Sequence, residues 1–81
     1  MENQDAREIR KIITDILEVD KDNVADGASL RDDLGADSTD MVHIIMMVEK
    51  RYDLVIPEND VEEIETVGDL IAYKEQKMKS K

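Results

Sequence analysis

Ile9, Ile12, Ile13, Ile16 and Leu17 recur at the i, i+3, i+4, i+7, i+8 spacing of one helical stripe. Asp5, Arg7, Glu8, Arg10, Lys11, Asp15 and Glu18 fill the remaining positions, so residues 5–19 are predicted to form a helix. The same period returns in residues 38–52. Only residues 54–56 read as extended, and one such run cannot make a sheet. An all-α domain follows. Ile is a moderate helix former, so packing of the stripe, rather than propensity, must hold the first helix.

The chain has 81 residues, enough for one domain with a modest core. Residues 20–37 form a long connection rich in turn residues: Asp20, Asp22, Asn23, Asp26, Gly27, Ser29, Asp32, Asp33 and Gly35. Val19, Val24, Leu30 and Leu34 are expected to pin it to the core, and Ser29 to cap a single turn over 30–33. A structureless connection of this length in a small domain usually has a function. Pro57 biases Ile56 away from helix. Residues 58–64 suit a short helix bearing Val61 and Ile64. Thr66-Val67-Gly68-Asp69 reads as a capping box with Asp in place of Glu, opening a last helix to about residue 76. Its inward residues are Val67, Leu70, Ile71, Tyr73 and the stem of Lys74. The predicted fold is a small four-helix bundle, three longer helices and one short, with a long loop after the first helix. Residues 1–81 make a single domain with its core at about 5–75 and a Lys-rich tail over 76–81, which is expected to fray.

Net charge is −10, from 21 acidic and 11 basic residues. Residues 74–81 carry +3, so residues 1–73 carry −13. Such a field repels nucleic acid and anionic membranes and favours basic partners. The two aromatic residues, Tyr52 and Tyr73, provide no base-stacking surface. There is no Cys, hence no disulfide and no thiolate metal site. The first residues are polar and acidic, unlike a signal peptide, and no apolar run has membrane-spanning length. A cytoplasmic monomer is expected.

The boundary at residues 35–40, Gly-Ala-Asp-Ser-Thr-Asp, hands the loop to the second helix. Asp37 suits the N-cap, which would free the Ser38 hydroxyl in the first turn. Catalysis by Ser38 lacks a base: His43, the one His, stands five residues on and about 140° round the helix. A phosphate ester on Ser38 would instead lie against free N–H groups and the positive end of the helix dipole. Stepping about 100° per residue puts Met41, Ile44, Ile45, Val48 and Tyr52 on the core face. Asp40, His43, Lys50 and Arg51 face solvent, with Met47 among them. Val42 and Met46 form a second, smaller apolar strip edged by Glu49 and Asp53, a candidate contact surface. Asp22 to Asp33 can be laid on a calcium loop, but Val24 stands at its third position and Asp33 replaces the closing Glu. No metal site is therefore assigned.

The residues Asp33-Leu34-Gly35-Ala36-Asp37-Ser38, then Asp40 and Val42, Ile56-Pro57, and Ile64-Glu65-Thr66-Val67-Gly68-Asp69 resemble those of the acyl carrier protein family. The resemblance covers about residues 5–75 without obvious gaps. It implies a four-helix bundle with 4′-phosphopantetheine, taken from coenzyme A, attached to Ser38. It also implies a carrier that catalyses nothing itself. Its partners would be a phosphopantetheinyl transferase and acyl-transfer and condensing enzymes with basic docking surfaces, in fatty acid or related biosynthesis. Partner contacts carry over to Asp37, Asp40, Met46, Glu49, Ile56 and Glu58, with Thr39 and Val42 beside them. The acyl pocket maps near Leu30, Ile44, Val48, Val61 and Ile64. Thr39 departs from the family's usual Leu, and His43, Lys50 and Arg51 stand at positions often acidic in fatty-acid carriers. These departures imply a preference for dedicated partners over generic fatty-acid synthase enzymes. The rival reading is an acidic helical interaction or calcium-binding module with no covalent cofactor.

Overall fold

The computed structural model describes residues 4–79. Four helices follow one another: α1 (Gln4–Leu17), α2 (Ser38–Tyr52), α3 (Glu58–Val61) and α4 (Val67–Lys79), with a 3-10 turn at Lys21–Asn23. Among the described residues there is no strand, only one isolated bridge between Ser29 and Thr66. The predicted stripes meet in one aliphatic core. Ile9 and Ile13 from α1, Met41, Ile44 and Val48 from α2, and Val67 and Leu70 from α4 are all buried. Val24, Leu30, Leu34 and Ala36 of the long loop join them, while Ile12, Ile16 and Leu17 lie at the edge of the core.

Helix α1 ends two residues before its expected limit. Glu18 adopts a left-handed φ of 54°, which turns the chain out of the helix. Arg10 donates to the Val24 carbonyl and pairs with Asp26, gripping the returning loop from the helix surface. The loop's backbone groups are then satisfied by the start of α4. Val67 N–H donates to Ala28 at 3.1 Å and Gly68 N–H to Asp26 at 2.8 Å, while Leu30 N–H donates to Glu65 at 2.9 Å. Two of the otherwise unpartnered N–H groups of the α4 N-terminus thus hold the loop. This approach is close: a Cβ on Gly68 would stand 3.0 Å from the Asp26 carbonyl oxygen. Ser29 caps its turn as expected, accepting from Asp32 N–H at 3.1 Å. Thr66 and Asp69 form the reciprocal cap read from the sequence.

Helix α3 closes at Val61 rather than 64. Glu63 and Ile64 bond back three residues, to Asp60 and Val61, and the tightened turn swings Ile64 into the core. Helix α4 runs three residues past its expected end, to Lys79. The expected fraying at residues 80 and 81 lies outside the described residues. Lys74, whose stem alone was expected inward, is only 3% exposed. Its ammonium pairs with Asp5 and lies 4.7 Å from the centre of the Tyr52 ring. Burial pushes the Tyr52 hydroxyl up to about 12, aided by Asp5 and Glu8. Arg51 also reaches Glu8, with Nε 2.6 Å from its carboxylate. Together these groups tie α1, α2 and α4 where α2 ends.

Candidate phosphopantetheine attachment site

Gly35 takes a left-handed φ of 76°, a conformation that costs L-residues strain. This turn lets Ala36 bury itself, with its N–H donating to the Leu30 carbonyl at 2.8 Å. Asp37 then stands extended as the N-cap of α2. Its carboxylate accepts the Asp40 N–H at 2.8 Å, and Asp40 accepts the Asp37 N–H at 3.3 Å. This reciprocal cap takes over the role that a first-turn Ser often fills. Ser38 is left exposed as the first residue of α2, and its hydroxyl has no hydrogen bond among the described residues. The amides of the first turn lack intrahelical acceptors and sit at the positive end of the helix dipole. A phosphodiester on the Ser38 oxygen fits this arrangement. The nucleophile is uncommitted, the cap does not depend on it, and the helix dipole favours an anion there although Asp37 and Asp40 oppose one.

Beside Ser38, Thr39 is exposed. Val42 and Met46 follow on one strip, 57% and 48% exposed. His43 faces solvent, as do Lys50 and Arg51. Glu58, the first residue of α3, is exposed as well. Two residues expected at the partner surface have other duties. Ile56 is buried in the core, and its N–H donates to the Glu49 carboxylate at 2.8 Å. Glu49 is thus half-buried and spent on holding the α2–α3 link. Ile56 therefore presents no side chain to a partner. The extended link explains this: alternate residues point opposite ways, so Ile56 turns in and Val55 turns out. Val55 is 75% exposed, and sequence reading missed it although period-two alternation through residues 54–56 carries the signal.

Leu30, Ile44, Val48 and Ile64 share the buried core, with half-buried Val61 packed against it. Outside them a cleft of about 330 Å³ lies between the loop and the α3–α4 turn, where Ser29 and Arg31 face Val61 and Ile64. The acids of the rival calcium loop do not converge. Asp26 pairs with Arg10, and Asp33 accepts the Ser29 N–H at 2.8 Å. Among the described residues no group of three or more acids or His is placed to hold a metal ion. Nor is any described helix long and apolar enough to cross a membrane.

The family model of the phosphopantetheine attachment site matches residues 7–73. The chain belongs to this family. Over 72 residues it is also 46% identical to the curated acyl carrier protein of Bdellovibrio bacteriovorus, spanning 89% of this chain and 92% of that protein. The matched region of the family model contains every element that positions Ser38: the Gly35 turn, the Asp37–Asp40 cap and the α4 N-terminus that holds the loop. The prosthetic group of such domains is 4′-phosphopantetheine.

Proposed function

We propose that this chain is an acyl carrier protein whose Ser38 hydroxyl bears 4′-phosphopantetheine. One observation carries the assignment: within the family match, Ser38 opens α2 with an exposed hydroxyl that the Asp37–Asp40 cap leaves unused. When bound, the group supplies a terminal thiol that holds acyl cargo as a thioester. The chain's own residues do the rest. Asp37 and Asp40 shape the helix start and place negative charge beside Ser38. Val42 and Met46 offer apolar contact, and Asp53 and Glu58 lend the acidic rim that a basic enzyme surface recognises. The carrier performs no chemistry itself: His43, the only imidazole, lies round the helix from Ser38. Leu30, Ile44, Val48, Val61 and Ile64 are the aliphatic walls a saturated chain would part. Thr39, with Lys50, narrows partner choice, because a hydroxyl replaces apolar contact area beside the attachment point. The test is incubation with coenzyme A, Mg²⁺ and a promiscuous phosphopantetheinyl transferase, followed by intact mass. The expected result is a gain of one phosphopantetheine that Ser38→Ala abolishes. No gain with any transferase, or a gain that survives Ser38→Ala, refutes the assignment.

A further inference from the structure

The chain has five Met and no Cys, so thioethers are the only sulfur atoms its own residues supply. The fold sorts them sharply. Met41 is buried at 2% exposure, whereas Met46, Met47 and Met78 are all substantially exposed. Among the described residues only one exposed thioether, that of Met46, lies on the strip that Val42 begins. Met47 is turned to the opposite side, into a cleft against Ile12 and Lys11 of α1, and Met78 belongs to the last turns of α4. We propose that Met46 is a site of reversible sulfur oxidation, and that its oxidation weakens docking of the carrier to its partner enzymes. The inference rests on the reading of the Val42–Met46 strip as a docking surface.

The chemistry needs a hydroperoxide. One peroxide oxygen transfers to the Met46 sulfur. The O–O bond breaks, an S–O bond forms, sulfur loses two electrons, and the peroxide leaves as water or an alcohol. Reduction by a thiol-dependent sulfoxide reductase returns the oxygen as water and leaves a disulfide on the reductant. A thioether packs adaptably on an apolar partner surface, but a sulfoxide carries a strong dipole that must be desolvated there. Val42 lies one turn away and Asp53 edges the strip, so Met46 supplies much of its apolar centre. Polarising that centre leaves the acidic rim with little apolar surface to frame. Encounter by charge survives, while the close-packed complex is lost.

The experiment uses the apo chain treated with hydrogen peroxide, then with catalase, before assay with phosphopantetheinyl transferase. Peptide mass is expected to show one added oxygen at Met46 and none at Met41. The transferase kcat/KM is expected to fall roughly tenfold, mostly through KM, and to recover after reductase treatment. The Met46→Leu variant, compared with its own untreated form, is expected to lose nothing on oxidation, whereas Met47→Leu remains sensitive. The inference is overturned if Met46 stays unoxidised while Met47 and Met78 react, or if Met46→Leu loses as much as the parent. An untreated Met46→Glu variant separates the two layers. If it leaves kcat/KM unchanged, the strip is not a docking surface. If it lowers kcat/KM and peroxide does not, the oxidation inference alone fails.

Discussion

Lys74 offers the sharpest test of what holds the three long helices together. Its side chain is 4% exposed, while that of its partner Asp5 is 47% exposed. The asymmetry decides the energetics. Replacing Lys74 by Met keeps most of the stem's volume and removes the buried charge. Asp5, already half in water, is then solvated at little cost. Replacing a buried ion pair by apolar volume is often close to neutral, so Lys74→Met is expected to cost no more than ~1 kcal/mol. Asp5→Ala does the opposite. It leaves an ammonium in the interior with only the face of the Tyr52 ring, 4.7 Å away, in place of a carboxylate. That ring contact is already present in the parent and offsets nothing; breaking a fully buried pair costs ~3–5 kcal/mol, and the half-exposed Asp5 carboxylate supplies only part of that. Asp5→Ala is therefore expected to lose about 2–3 kcal/mol. Global charge works against this order. Losing a cation takes the net charge from −10 to −11, while losing an anion takes it to −9. Urea unfolding followed by helical circular dichroism measures both variants, with equal m-values as the check on a common transition. Equal losses, or a larger loss for Lys74→Met, would refute the account of an ammonium held inside by Asp5.

Two other perturbations probe the segments that present Ser38 and support the loop. Gly35→Ala meets no atom within 4 Å, so its cost is the left-handed φ alone. A loss of about 1–2 kcal/mol in urea unfolding is expected, with the α2 cap unchanged in amide chemical shifts. Backbone N–H bonds from Glu65, then Thr66, hold the Asp69 carboxyl below its ordinary value. A carboxylate with a depressed folded pKa stabilises above its unfolded pKa and loses that contribution as pH falls through the folded value. Asp69→Asn is thus expected to be less stable than the parent at neutral pH, with the gap closing below about pH 4. A gap independent of pH would point to packing instead.

The parts of the molecule that were legible in the sequence are those whose causes are local. Helical period reports which residues a helix buries, and the core residues of α1, α2 and α4 follow from it. The start of α2 was legible for the same reason: Asp37 reads as its N-cap, and the bond that it accepts from Asp40 spans three residues, whereas Ser38 as the attachment point came from the family resemblance. Where distant groups decide, local reading failed. Arg10 of α1 grips a loop 14 and 16 residues away, a contact that no helical period announces. Lys74 enters the core whole because Asp5, 69 residues away in sequence, waits there. Ile56 is a third kind of case. Its place on the partner surface came from family resemblance, which transfers a position but not the direction of a side chain. The Glu49 carboxylate clamps the Ile56 N–H and fixes the pleat of the link, so Val55 takes the outward place. The exposed apolar residues along α2 and its link are consequently Val42 and Met46 on α2 and Val55 beyond its far end, with Glu49 withdrawn from the rim. Spare charge at that rim then falls to Asp53 and Glu58, which flank the link on either side.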